Sequence, residues 1–369
     1  MQYSCLVALA TFLSAVHAHP GHDISEEVAE RRHFVNSIHR KDLSHCAESL
    51  RARGVEARSI ARRSAAVEEA RARRGVSRRD LEEVLSASHD QSDTGYTENT
   101  DASKLFSGNA SCILTPEVTQ DVGGEFVRED ITDDEPGVDI TLDYQVIDVD
   151  TCEPVPDVYV EIWHCNSTGV YSGVVANGNG NTDDESNLDA TFLRGIQETD
   201  SDGVATFKST FPGHYTGRAT HIHVMVHTNA TLLANDTLGN DIYASHVGQA
   251  FFDQDLITAV EKTSPYSTNT QDITLNSKDS ILAEEAEDVD PFMDYVYLGD
   301  DLDSGLFAWI AFGINTSYSS HVTPAASYYE DGGVANEDSG TSTSTGAAGV
   351  ATLPALGAIA GSIGLAIFL

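Results

Sequence analysis

The chain has 369 residues, 40% of them hydrophobic, with 21 Lys and Arg against 58 Asp and Glu and a formal net charge of −37 at pH 7. That apolar fraction can build a core at this length, which excludes a chain disordered throughout. The acidity repels phosphate backbones and anionic lipid, which excludes nucleic acid as a partner and excludes a polybasic membrane-binding surface. The charge is also uneven: residues 19–80 hold 14 Lys and Arg against 10 Asp and Glu, so the deficit falls almost entirely after residue 80.

In chain order, residues 6–16 form an apolar run too short to span a bilayer, followed by Val16-His17-Ala18, and 1–18 read as a signal peptide cleaved after Ala18. Residues 19–85 read as a helical arm or pro-segment, rich in Ala, Arg and Glu. The basic pairs Arg62-Arg63, Arg73-Arg74 and Arg78-Arg79 are either processing sites or the surface charge of a solvated helix. Residues 86–104 read as a polar linker. From 105 to 318 short alternating runs, at 140–148, 158–164, 204–208 and 221–228, predict an all-β sandwich or barrel. Asp200-x-Asp202-Gly203 reads as a turn rather than a calcium loop, and 173–187 as a functional loop or insertion.

The C-terminal end predicts a polar stalk over 319–346, with Ser339, Gly340 or Ser342 as attachment site, and a removable hydrophobic signal over 347–369. That is the layout of a glycolipid (GPI) anchor, with a membrane helix as the alternative. Sequons at Asn109, Asn166, Asn229, Asn235 and Asn315 agree with secretion. After signal removal Cys46, Cys112, Cys152 and Cys165 remain, which predicts two disulfides of open pairing. Cys152 and Cys165 flank a strand and are not expected to bond each other.

The segment with chemistry runs from Phe211 to His227. Residues two apart on a strand share a face, so His221 and His223 can converge on one metal. Arg218 lies three residues before His221, Tyr215 follows a Pro-Gly turn, and a second tyrosine, Tyr171, follows Trp163-His-Cys-Asn-Ser-Thr-Gly-Val. Glu161-Ile-Trp-His164, Gly169-Val-Tyr171-Ser, Pro212-Gly-His-Tyr215 and Arg218-x-x-His221-x-His223 together resemble the intradiol ring-cleavage dioxygenases, in particular the fungal extracellular members. The resemblance covers about residues 114–314 and reaches neither the arm nor the tail.

The resemblance implies a β-sandwich in which Tyr171, Tyr215, His221 and His223 hold one non-haem Fe(III). Phenolate is a hard anionic donor suited to that cation. It further implies a catechol bound as the dianion, Tyr215 as the displaced ligand that takes a proton, and O2 cleaving the ring to a muconate-type dicarboxylate. Arg218 would stabilise negative charge beside the ring, and Gln249 matches the family's amide near the iron. Trp163 and Tyr159 read as core, and His164, His214, His227 and His246 as hydrogen-bonded structural residues. One departure stands out: after Leu114-Thr-Pro-Glu117 the family's Gly-Pro-Tyr-Tyr-type segment is replaced by Val122-Gly-Gly-Glu-Phe126. Two other readings stand beside this one, the first with the same ligands and the second at the other end of the chain. One is a surface-displayed sandwich that binds ferric iron or an aromatic ligand without turnover; the other is copper held by an amino-terminal His19 with His22.

Overall fold

The computed structural model describes residues 43–74, 111–113, 119–123, 125–175, 179, 184–239, 243–244, 246–286, 290–321, 323–329 and 332–335. The expected signal peptide, linker, attachment site and hydrophobic tail lie outside them. Four helices are described: α1 (Ala47–Ala52), α2 (Val55–Arg74), α3 (Gln254–Val260) and α4 (Ser280–Glu285). The strands are β1 (Ser111–Ile113), β2 (Thr119–Gly123), β3 (Asp139–Asp148), β4 (Tyr159–Trp163), β5 (Arg194–Glu198), β6 (Val204–Thr210), β7 (His221–His227) and β8 (Thr231–Leu232). They continue with β9 (Leu238–Gly239), β10 (Tyr243–Ala244), β11 (His246–Phe251), β12 (Asp294–Tyr297), β13 (Leu306–Ile314), β14 (Ser320–His321), β15 (Thr323–Tyr329) and β16 (Gly332–Ala335).

Two sheets face each other. One runs β1-β13-β3-β6, with β12 also on β13; the other runs β11-β7-β4-β5. Alternation along each strand decides what enters the space between them. Ile140, Leu142, Tyr144 and Val146 of β3 and Leu306, Ala308, Ile310, Phe312 and Ile314 of β13 meet Val160 and Ile162 of β4 and Ile222, Val224 and Val226 of β7 in one buried cluster. The chain is therefore a β-sandwich with few helices, as its patterning predicts, and the four predicted strands are β3, β4, β6 and β7 to within two residues at either end. The Asp200 turn is a turn: its Oδ1 accepts the N–H groups of Asp202 and Val204.

The arm is neither solvated nor separate. On the outer face of the first sheet Ala70 of α2 packs with Phe307 and Leu298, and the Arg63 guanidinium lies 5.5 Å from the centre of the Trp309 ring. The outward residues Asp139, Asp143 and Gln145 of β3 are polar and meet polar partners on α2. Arg62 and Arg63 both reach the buried Asp143 carboxylate, at 3.1 and 3.0 Å, and Ser59 Oγ donates to Gln145 Oε1. Arg58 pairs with Asp202 and Arg74 with Asp139. Cys46, just before α1, is disulfide-bonded to Cys152 of the sandwich.

Three expectations are corrected here. The pairs Arg62-Arg63 and Arg73-Arg74 sit within a docked helix, and the first is spent on Asp143. Two disulfides do not form among the four cysteines, because Cys165 is a free buried thiol whose Sγ lies 3.4 Å from the Gly213 carbonyl. The stalk boundary also moves. Residues 320–335 carry β14, β15 and β16, and these pair with β10 and β2, so the folded domain continues past 318.

Asp143→Ala removes the buried carboxylate that Arg62 and Arg63 share and is expected to cost about 3–5 kcal/mol in denaturant unfolding. Cys46→Ser opens a loop closed across 106 residues, with an expected loss of about 2–4 kcal/mol. Unchanged midpoints in both variants would show that the arm contributes nothing to the fold.

Candidate metal centre

On β7 the odd residues His221, His223, Met225 and His227 face away from the core that takes Ile222, Val224 and Val226. Register extends that face across the sheet. His223 lies opposite Trp163 of β4 and Gln249 of β11, and Trp163 lies opposite Arg194 of β5. Arg194, Trp163, His223 and Gln249 thus form one row across four strands.

The two tyrosines come from turns that lean on each other. In the turn after β4, Asn166 Oδ1 accepts the N–H groups of Thr168 and Val170, which leads the chain into Tyr171. Gly169 has φ +78°, and a Cβ there would fall 2.2 Å from the carbonyl oxygen of His214, the residue before Tyr215. Only glycine lets these two turns approach so closely. The 212–218 turn then brings Tyr215 and Arg218 opposite each other in a short bridge.

All four side chains converge, and none is more than 4% exposed. His221 Nε2 lies 3.2 Å from His223 Nε2 and 3.4 Å from Tyr171 Oη. The Tyr171 and Tyr215 rings meet edge to face at 5.4 Å, and Tyr215 lies 5.9 Å from His221 between ring centres. His221 Nδ1 sits 2.7 Å from the Ala219 carbonyl, which accepts its proton and leaves the Nε2 lone pair turned into the cluster.

This arrangement fits a metal cation. Donors ~2.1 Å from one ion lie about 3 to 3.5 Å apart, the spacing seen between these Nε2 and Oη atoms. Burial and then the Arg218 charge push the His221 pKa well down, so the imidazole is neutral and able to ligate. Burial drives the Tyr171 and Tyr215 phenols up, while Arg218 opposes the rise. Phenols so placed ionise only beside a strong positive charge, and a trivalent cation supplies one.

Arg218 is fully buried and clamped. Its Nε donates to Asp279 Oδ2 at 2.9 Å, its Nη2 donates to Gln249 Oε1, and the Ala219 N–H donates to the same Asp279 oxygen. The other Asp279 oxygen caps α4 by accepting from Ile281 and Leu282. Gln249 therefore touches Arg218 and acts by positioning it.

The sequence reading missed Asp279. An Asp before Ser-Ile-Leu is a visible N-cap signal, but nothing local ties it to an arginine 61 residues earlier. It also missed Asn179 and Asn187. Asn179 Oδ1 accepts the Tyr171 N–H, and both amides donate to the Tyr171 carbonyl, so the long 173–187 loop fixes a site residue. Trp163, read as core, is fully buried but packs directly on Tyr171 at 4.6 Å and His223 at 5.7 Å. Tyr159 packs with Ile196 and Leu238, away from the site.

The other histidines have structural partners. His164 bonds Ser209 and the Cys165 carbonyl, and burial pulls its pKa down to about 4. His214 bonds Glu261, His227 bonds Glu161, and His246 accepts the Asn315 N–H.

Residues 117–289 match the family model Dioxygenase_C, described as Dioxygenase. An intradiol ring-cleavage dioxygenase from Tetranychus urticae is 27% identical, with 57% of this chain and 98% of that chain covered and a TM-score of 0.45. The dioxygenase domain of a carbohydrate-binding fusion protein from Streptomyces sp. SirexAA-E is 20% identical over 57% and 94%, with a TM-score of 0.31. Catechol 1,2-dioxygenase from Pseudomonas arvilla C-1 is 16% identical over 55% and 62%, with a TM-score of 0.32. No curated protein matches the chain. Over residues 117–289, which carry the turns, strands and clamp that build the cluster, the chain is similar to the dioxygenase family.

Proposed function

We propose that the domain holds one ferric ion through Tyr171, Tyr215, His221 and His223 and uses O2 to open the ring of a small catechol between its two hydroxylated carbons. The observation that carries this reading is the convergence of two buried phenols and two buried imidazoles beside a clamped Arg218. Ferric iron held there would act as a Lewis acid that favours the catechol dianion and draws ring electron density toward itself, opening a ring carbon to O2. Both oxygen atoms then end in the muconate-type dicarboxylate, and no further reductant is consumed.

The protein's own residues have separate tasks. Tyr215, whose backbone lacks the two-asparagine grip described for Tyr171, is the phenol that moves aside, and as phenolate its Oη accepts a proton from a catechol hydroxyl. Tyr171 is held at its backbone by two asparagines and stays in place. Arg218 stabilises negative charge that develops on the ring, and Asp279 with Gln249 fixes its guanidinium beforehand, so no reorganisation is needed as that charge appears. Trp163 and the packed cluster around it exclude water from the ligand side.

We further propose that the mature protein is secreted and tethered by a C-terminal glycolipid, with the catechols supplied from plant or lignin material. Support comes from the terminal patterning of the sequence. The Cys46–Cys152 disulfide suits an oxidising compartment. Asn229 and Asn235 are exposed sequons, whereas the Asn166 amide is engaged with Glu135.

The iron-loaded protein is expected to be red-brown from tyrosinate-to-iron charge transfer and to shift to longer wavelength with catechol; Tyr215→Phe weakens both the colour and the shift. Arg218→Ala keeps the colour and slows oxygen uptake by ~10²-fold or more. Firmly bound iron with no oxygen uptake on any catechol would favour the non-catalytic binding reading. Phosphatidylinositol-specific phospholipase is expected to release the native protein from cells, and retention would refute the anchor.

A further inference from the structure

The hairpin of β15 and β16 lies against the site. The Gly333 N–H donates to Asp189 Oδ1 at 2.9 Å, and a Cβ at Gly333 would fall 1.9 Å from the Leu188 carbonyl oxygen. The hairpin backbone thus rests on the loop whose Asn187 holds Tyr171. On β15 neighbouring side chains point oppositely. Tyr329 is 59% exposed, whereas Tyr328 is half-buried and packs against the cluster that contains Trp163, Tyr171 and Tyr215.

Two further groups hold the Tyr328 ring. Phe126 meets it edge to face at 5.7 Å, and the Arg194 guanidinium lies 5.7 Å from its centre. Arg194 is fully buried and ion-paired with the equally buried Glu125 at 2.9 Å, so its charge is already compensated and it serves the ring as a fixed cationic plate. It also begins the row that runs through Trp163 to His223. Residues 126, 194 and 328, far apart in the chain, therefore build one aromatic corner beside the phenols.

We propose that Tyr328, steadied by Phe126 and Arg194, is the wall that a catechol ring meets next to the four ligand residues, and that it selects small rings over bulky ones. The inference rests on the function proposed above. A half-buried aromatic face offers a flat ring an edge-to-face or offset partner. A ring held on two sides cannot turn away from a branched substituent, so bulk is penalised in binding.

The test uses the full, iron-loaded chain as wild type, Tyr328→Ala, Tyr328→Phe and Tyr329→Ala. Two readouts are compared for catechol and 4-tert-butylcatechol: steady-state oxygen uptake, and anaerobic affinity from the visible shift on binding. Tyr328→Ala is expected to move the preference toward the bulky catechol by about tenfold, through KM and Kd rather than kcat. Tyr328→Phe keeps the wild-type ratio, and so does Tyr329→Ala on the opposite face of the same strand. An unchanged ratio in Tyr328→Ala overturns the proposal, as does an equal change in Tyr329→Ala. Should Tyr328→Ala not fold, Tyr328→Leu is read by the same ratio. A wild type that neither colours nor binds either catechol removes the dioxygenase reading and the wall together, whereas a wild type that turns catechol over leaves only the wall at stake.

Discussion

The pleat of β7 is the constraint on which the site depends. Its even residues fill the sandwich core and its odd residues face the side of the candidate quartet, so core and site share one seven-residue strand. A slip of one residue would put Ile222 and Val224 at the cluster and turn three imidazoles into the core, so the register is strongly specified. β4 and β11 hold the register on either side, and this is why Trp163 and Gln249 arrive level with His223.

Electrostatics explain the uneven charge along the sequence. The acidic sandwich carries carboxylates on its outer face, and the arm brings Arg53, Arg58, Arg62, Arg63 and Arg74 to meet Glu153, Asp202, Asp143 and Asp139. Only seven Lys and Arg follow residue 80. Four of them, Arg128, Arg194, Lys208 and Arg218, are ion-paired, two with both partners fully buried. Exposed pairs of this kind contribute little. The buried ones matter because breaking any of them strands a charge in apolar surroundings. The arm is in this sense the cationic half of a single folded unit, joined to the acidic half by the Cys46–Cys152 bond.

The cluster is held by groups of modest chemical character. Two asparagines fix the Tyr171 backbone, a carbonyl fixes the His221 tautomer, and Asp279 and Gln249 fix Arg218. Such rigidity suits the proposed function, in which the centre keeps a cation while one phenol exchanges with substrate. Tyr215 is the exception, placed on a turn whose mate is Arg218 itself.

The sandwich and its four main strands were legible in the sequence because alternation is a local property of a strand, and the candidate quartet was legible as what the resemblance of its motifs to a known family implies. His221-x-His223 must share a face wherever that strand is packed, and the Gly-Val-Tyr171 and Pro-Gly-His-Tyr215 turns carry their own signature. The arm's docking, the Cys46–Cys152 pairing, the Asp279 clamp and the return of Tyr328 to the site were not legible. Each joins residues 60 to more than 200 positions apart, and no local pattern encodes which buried charge, thiol or ring will find which partner. Those choices follow from the order in which the strands pair and from the low tolerance of the interior for uncompensated polar groups, and both come into being only when the two sheets close on each other.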